Sequence, residues 1–193
     1  PPTRLISMGH VEQLTDGVVW LTVPGASDVD AIAAACADPA VGEWTTVPVP
    51  YTRADAASFV GTIVPALWEQ GNPTWAIRIE PDGEALGMVG LVVRDGVGDL
   101  GYWLAPAWRS RGLTTAAVKV VCRHGFGLGL DRIEWRAYVG NHASAAVARK
   151  VGFRYEGLTR RAVLQRGVRR DCWLASLLPD DPMVPAVGWP AGV

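Results

Sequence analysis

The sequence predicts one mixed α/β domain of the α+β kind, built on a mostly antiparallel, twisted sheet. Three observations carry that reading. Strand-like patterns at 74–79, 85–93 and 99–104 follow one another through the tight turns Pro81-Asp82-Gly83 and Asp95-Gly96, which reads as an antiparallel meander. A strand, a short basic turn, a helix, a second strand and a second helix then succeed one another between 99 and 151. A closing hairpin runs through 158–164 and 168–178 around Gln165-Arg166-Gly167. The chain has 193 residues, enough for one real core, and 49% apolar with 19% charged residues is ordinary globular usage. The domain is expected over 1–179, followed by a Pro/Gly-rich surface tail over 180–193.

In chain order, 18–23 reads as a strand and stops at Pro24-Gly25. Ser27 is expected to cap a small-residue helix from 28 to about 36, which Asp38-Pro39 ends. The stretch 41–51, with its prolines and the aromatics Trp44 and Tyr51, is expected to be irregular, as a packed connection or a substrate wall. Thr52-Arg53-Ala54-Asp55 has the form of a capping box and opens a helix with core positions Phe59, Val60, Ile63 and Leu67, kinked or tightened by Pro65. A helix is expected over 115–126, a strand over 132–139, and a helix over 142–151 that Gly152 caps. Gly125, Gly127 and Gly129 superficially resemble a dinucleotide-binding run. They end a helix where that motif must begin one, so they are expected to be C-cap residues.

Bulk properties exclude several classes. A net charge of −1 provides no global attraction for nucleic acid or an anionic membrane. Cys36, Cys122 and Cys172 are an odd, scattered set; they fit buried thiols in a reducing cytoplasm and neither a disulfide framework nor a zinc site. No uncharged run is long enough to span a bilayer, and Pro1-Pro2-Thr3-Arg4 opens no signal-peptide pattern. His10, His124 and His142 form no catalytic or metal-like cluster, and His142 is expected at the surface. The arginines 160, 161, 166, 169 and 170 fall together on the last hairpin, either as a solvated face or as an attractor for an anionic substrate or a nucleotide phosphate.

The stretch Trp108-Arg109-Ser110-Arg111-Gly112-Leu113-Thr114-Thr115 lies between the apolar run Leu100-Gly101-Tyr102-Trp103-Leu104 and a helix. A helix N-terminus offers unpaired N–H groups and partial positive charge, so this turn is either a phosphate site or an ordinary connection with solvated arginines.

Two motifs resemble the GNAT superfamily of acyl-CoA-dependent N-acyltransferases, and within it the RimJ/RimL-type ribosomal-protein N-terminal acetyltransferases. The first is the acyl-CoA loop (Gln/Arg)-x-x-Gly-x-(Gly/Ala), matched by Arg109-Ser110-Arg111-Gly112-Leu113-Thr114 and then Thr115-Ala116-Ala117, with Thr114 departing from the usual Gly or Ala. The second is Asn-x-x-Ser followed by Lys-x-Gly-Phe, matched by Asn141-His142-Ala143-Ser144 and Lys150-Val151-Gly152-Phe153. The resemblance covers about 18–178.

That resemblance implies the GNAT fold, with helices on both sheet faces and two central parallel strands, 99–104 and 132–139, splayed around a pantetheine arm. It implies acetyl-CoA as co-substrate, with no metal, and Arg109, Ser110, Arg111, Gly112, Leu113, Thr114 and Thr115 around its pyrophosphate. Asn141, Ser144 and Lys150 join the same cofactor set. The backbone near Trp103 and Leu104 would hold the oxyanion. Asp99 takes the position of the general base, where Glu is more usual, and Glu134 is the alternative base. Ser144 would donate to the departing thiolate. From the residues alone, Asp99 reads equally as a turn carboxylate, Glu134 as an exposed strand residue paired with Arg132 or Arg136, and Ser144 as a first-turn helix serine. Trp44 and Tyr51 are the candidate substrate wall.

The expected function is acetyl transfer to a primary amine, first of all a protein N-terminal α-amine, by direct attack in a ternary complex. A small-molecule N-acyltransferase and a non-catalytic acyl-CoA sensor are the alternatives. A cytoplasmic location and neither membrane nor nucleic-acid partners are expected; a homodimer stays open.

Overall fold

The computed structural model describes residues 13–193; His10 and the expected start of the chain lie outside them. Eight strands form one sheet in the order β1-β2-β3-β4-β5-β6-β8-β7: β1 (Gln13–Thr15), β2 (Trp20–Thr22), β3 (Thr74–Arg78), β4 (Gly87–Arg94), β5 (Val97–Leu104), β6 (Arg132–Tyr138), β7 (Arg154–Gln165) and β8 (Val168–Leu177). Every pairing is antiparallel except β5 with β6. The meander predicted for 74–104 is β3–β5. The closing hairpin is β7–β8, longer at its start than expected because the strand begun at 154 continues through register shifts at Gly157 and between Thr159 and Val163.

The helices divide between the faces. α5 (Leu113–Gly127) and α6 (His142–Val151) cover one face, where Val118, Val121, Ala145, Ala148 and Val151 meet Ile133, Trp135, Phe153 and Ala175. α1 (Val29–Cys36), α3 (Arg53–Ser58) and the turn after it cover the other through Val29, Ile32, Ala56 and Val60 on Ala76 and Met88. Alternation along a strand makes this inevitable: Leu100 and Leu104 point into the first core while Trp103 packs against the second.

Local chemistry explains most boundaries. Thr52 Oγ1 accepts from the Asp55 N–H at 3.3 Å and Asp55 Oδ2 accepts from the Thr52 N–H at 2.8 Å, the expected capping box. The helix it opens does not run on as plain α-helix. A π turn, Phe59–Ile63, leads into α4 (Val64–Glu69), with the Val64 N–H on the Phe59 carbonyl. Pro65 has no N–H and would crowd the carbonyl four residues back, and the widened turn relieves this. At the end of α5 the glycines do cap: Leu130 N–H reaches the Gly125 carbonyl at 3.1 Å, Gly129 N–H reaches Phe126 at 2.9 Å, and Gly129 sits at φ +92°. That is the Schellman arrangement. Gly125 must also be small, since a Cβ there would lie 2.9 Å from Leu130 Cδ1.

Two expectations are corrected. Ser27 is not a helix cap. It lies inside a single 3-10 turn, Ala26–Asp28, closed by Asp28 N–H on the Gly25 carbonyl at 2.9 Å, while Asp28 Oδ2 accepts from Gly25 N–H at 2.8 Å. The stretch after Asp38-Pro39 is not wholly irregular, because α2 (Pro39–Trp44) starts there. Asp38 Oδ1 accepts from Ala40 N–H at 3.0 Å, and Pro39 occupies the first turn, where its missing N–H costs nothing. The same dipeptide that stops one helix starts the next. The segment after Leu178 runs over the surface but is anchored: Trp189 Nε1 donates to the Phe153 carbonyl at 2.9 Å, and Lys119 Nζ to the Met183 carbonyl at 2.9 Å.

Candidate active site

The parallel strands β5 and β6 pair only from Val97–Arg132 to Leu100–Trp135. Beyond that point Gly101 to Leu104 pair with β4 alone, and Arg136 to Tyr138 with β8 alone. The strands therefore splay and leave a gap in mid-sheet. The Ala105 N–H donates to the Leu86 carbonyl at 2.8 Å, on the β4 side. Antiparallel alternation then turns the N–H groups of Leu104 and Tyr102 toward the gap and that of Trp103 toward Met88. Of the two backbone positions expected to hold an oxyanion, Leu104 faces the gap.

The chain leaves β5 through a 3-10 turn, Pro106–Trp108, and enters α5 through Arg109 to Gly112. Ser110 and Gly112 adopt left-handed conformations, φ +63° and +80°, and Gly112 is the N-cap of α5. The α5 ladder starts with Ala116 N–H on the Gly112 carbonyl, so the amides of Gly112, Leu113, Thr114 and Thr115 open onto the turn. Arg111 stacks over the Trp108 ring at 4.8 Å. Arg109 is directed elsewhere: its Nε donates to the Leu104 carbonyl at 3.1 Å and its guanidinium pairs with Asp38 at 3.2 Å. Lys150 is exposed in the last turn of α6 and makes no hydrogen bond or ion pair with this turn among the described residues.

Ser144 belongs to the α5–α6 face. Asn141 caps α6, its Oδ1 accepting from the Ser144 N–H at 3.1 Å. The Ser144 hydroxyl is thereby left for the sheet: its Oγ lies 2.9 Å from Tyr102 Oη and 3.0 Å from Trp135 Nε1. Tyr102 and Trp135 stand on the two strands that flank the gap, so Ser144 bridges them.

Asp99 and Glu134 are register partners on the opposite face. They differ sharply in environment. Glu134 is gripped by Arg132 at 3.0 Å and by Arg136; burial works to raise its carboxyl, but the two guanidinium groups outweigh it and hold the carboxyl below its ordinary value. Asp99 makes no hydrogen bond or ion pair among the described residues. Burial raises its carboxyl, Arg136 and Arg94 oppose this from a distance, and Glu134 adds to it, with a net upward shift. Trp103 and Tyr51 pack into the second core on this same face, and Trp44 stands beside Gly140, its ring 3.5 Å from where a Cβ would lie. Tyr51 also lines a groove of about 500 Å³ with Cys36, Asp38, Glu43 and Arg166.

The α2 side of that groove is held from the tip of the closing hairpin, by contacts that the sequence reading missed. Gln165, at the hairpin tip, is only 4% exposed and donates to the carbonyls of Glu43 at 2.8 Å and Thr45 at 2.7 Å, capping α2 from 120 positions away. Arg166 adds a bond to the Gly42 carbonyl at 2.7 Å. No local sequence signal announces a cap supplied from that distance. Gln165→Ala leaves those carbonyls unpaired and is expected to cost about 1–3 kcal/mol, read as a lower midpoint in thermal or urea unfolding. Of the other hairpin arginines, Arg170 lies over the Tyr138 ring at 5.4 Å.

His124 meets Trp75 edge-on and His142 is exposed beside Trp173. All three cysteines are buried and free. Among the described residues no group of His, Cys, Asp and Glu could hold a metal ion, and no helix is long and apolar enough to cross a membrane.

A sheet parted between two parallel strands, with a helix N-terminus at its mouth and a carboxylate and a hydroxyl on opposite faces, is the arrangement that the resemblance to the acyl-CoA-dependent acetyltransferases implies. The comparisons with known proteins agree. The chain belongs to the acetyltransferase (GNAT) domain family, whose profile matches residues 19–154. It is 36% identical over 101 residues to YdaF of Bacillus subtilis (strain 168), named as a candidate ribosomal N-acetyltransferase; the match spans 50% of this chain and 55% of YdaF, about half the length of that relative. Mycobacterium smegmatis RimJ, solved in complex with CoA-disulfide, superposes with a TM-score of 0.74 and 27% identity over 87% of this chain and 86% of its own. A ribosomal L7/L12 α-N-protein acetyltransferase, RimL, shares the fold at a TM-score of 0.74 and 20% identity, over 84% of this chain and 95% of its own.

Proposed function

We propose that this chain transfers an acetyl group from acetyl-CoA to the free α-amine of a protein N-terminus. The observation that carries the donor half is the parted β5–β6 pair opening onto the α5 amides. An extended pantetheine arm can pair with strand edges, and a pyrophosphate suits a helix N-terminus. The residues present fit the group: the left-handed Ser110 and Gly112 bend the turn so that four amides lead into it. The acceptor half is supported by the names of RimL and YdaF and by the face of β5 that carries Asp99 and Trp103, where Tyr51 packs on the same core as Trp103.

When bound, acetyl-CoA supplies a thioester carbonyl and a thiol leaving group. Asp99 takes the proton of the attacking amine, directly or through one water. A free α-amine is half neutral near pH 8, so a modest base suffices. The Leu104 N–H stabilises negative charge on the carbonyl oxygen, as preorganised amides do. Ser144 donates a hydrogen bond that stabilises the thiolate as it departs, and the proton taken by Asp99 returns to solvent. Glu134 is the poorer base because two arginines already occupy its oxygens. Arg111 and the amides of 112–115 hold the pyrophosphate, and Arg109 can join them only by giving up Asp38.

The test is acetyl transfer from acetyl-CoA to a panel of peptides with free N-termini, set against ε-amines of lysine peptides, polyamines and aminoglycosides. Preference for peptide α-amines supports the reading. Preference for a small amine replaces the acceptor and keeps the chemistry. Tight CoA binding with no turnover on any amine favours a sensor and overturns it.

A further inference from the structure

The contacts around Ser144 contain more donors than a simple tie between helix and sheet requires. Trp135 Nε1 is 3.0 Å from both Ser144 Oγ and Tyr102 Oη, and an indole N–H can only donate. Tyr102 has one hydroxyl proton and two acceptors within reach, the Ser144 carbonyl at 3.0 Å and Ser144 Oγ at 2.9 Å. Two arrangements satisfy every group. In the closed one, Tyr102 donates to the Ser144 carbonyl and the Ser144 hydroxyl donates back to Tyr102 Oη. In the open one, Tyr102 donates to Ser144 Oγ. That oxygen then accepts from both Tyr102 and Trp135, and its own proton is free to turn away from them.

We propose that Tyr102 is a positioning residue for the transfer reaction: by rotating its one proton from the Ser144 carbonyl to Ser144 Oγ, it releases the Ser144 proton toward a sulfur held in the gap. The proposal rests on the acetyl-CoA reading above. Tyr102 is not a proton source. Burial pushes its phenol far above the ordinary tyrosine value, more than its bonds to Ser144 and Trp135 offset, so the proton stays on it throughout the working range. Its task is to aim a neighbour. The switch costs only two hydroxyl rotations, of Tyr102 and Ser144, and no heavy atom of the network moves. Trp135, which is 1% exposed, fixes the second acceptor position of Ser144 Oγ in either arrangement.

The test needs no acceptor amine. CoA itself is bound to the wild-type protein, and its thiol is titrated through the ultraviolet absorbance of the thiolate. A fixed donor at the sulfur is expected to lower the bound thiol's pKa by about one pH unit relative to free CoA, roughly tenfold more thiolate at a given pH. Tyr102→Phe, which keeps the ring, is expected to remove most of that effect while CoA affinity stays within about twofold. Ser144→Ala is expected to remove it as well, and Tyr102→Phe added to Ser144→Ala to change nothing further, as for two groups acting through one contact. If Tyr102→Phe titrates like wild type while Ser144→Ala does not, Tyr102 has no positioning role and the proposal falls, leaving the acetyl-CoA reading intact. If Ser144→Ala titrates like wild type, or wild-type CoA titrates like free CoA, the role of Ser144 falls with it. If the wild-type protein does not bind CoA, the donor reading itself is overturned.

Discussion

Asp99→Asn is expected to lower kcat/KM for acetyl transfer by roughly 10²–10⁴, the range that a positioned general base supplies. The change keeps the side chain's shape and removes only its ability to take a proton. The pH dependence should identify the group. The Asp99 carboxyl stands above its ordinary value of 3.8, because burial outweighs the remote pull of Arg136 and Arg94. Activity that needs the carboxylate is therefore lost, as pH falls, above the range of a solvated aspartate, and this acid limb should vanish from the residual activity of the variant. Stability runs the other way. A carboxyl whose pKa is raised on folding is less stable ionised than it is in the unfolded chain, so at neutral pH Asp99→Asn should leave Tm unchanged or higher. Loss of activity without loss of Tm separates the base from a structural residue. Glu134→Gln is the control: it frees Arg136 and removes a negative neighbour of Asp99, so the acid limb should move to lower pH with the rate largely kept. If Glu134→Gln loses the larger share of the rate, the two carboxylates exchange roles.

What the sequence made legible follows the range of the interactions involved. The turns of the meander, the capping box at Thr52 and the Schellman end of α5 are all written within six residues, and local reading found them. The basic turn before α5 was legible for the same reason, since Gly112 marks a left-handed N-cap. The destination of Arg109 was not. Asp38, its partner, lies 71 positions away, in a stretch read as the end of a helix rather than the start of one. Gln165 on the end of α2 and Tyr102 on Ser144 are likewise contacts across more than 40 positions, which no periodicity encodes. The division of labour at the site was half legible. Strand alternation places Asp99 and Tyr102 on opposite faces of β5. The pairing of Glu134 with Arg132 or Arg136 is legible too, since both stand two residues away on its own strand; that both hold it at once while Asp99 makes no pair depends on rotamers.

Arg78→Met is expected to cost about 3–5 kcal/mol of folding stability, the usual consequence of leaving one member of a buried ion pair unpartnered. Arg78 ends β3 and grips Asp28 with two nitrogens, at 2.8 and 2.7 Å, while its Nε donates to Thr22 Oγ1 at 2.7 Å and it also donates to the Gly83 carbonyl. Asp28 is 3% exposed and Arg78 7%, so water cannot replace either partner. Without the guanidinium, the Asp28 carboxylate keeps only the Gly25 N–H. The 3-10 turn that launches α1 loses its tie to the sheet, and with α1 goes the support of Asp38, α2 and the groove beside Tyr51. The double variant Asp28→Ala with Arg78→Met should be less unstable than the sum of the two single variants, because no buried charge is then stranded. The pH dependence has a definite sign. Burial would raise the Asp28 carboxyl, but Arg78 and the Gly25 N–H outweigh it and hold it below the ordinary 3.8. The pair's contribution is thus fully present above about pH 4 and is lost as pH falls through the depressed value. Urea unfolding of the wild type should weaken across that acid window, and Arg78→Met should lose part of this dependence. An Arg78→Met variant as stable as wild type at pH 7 would show that the pair fixes orientation without stabilising the fold.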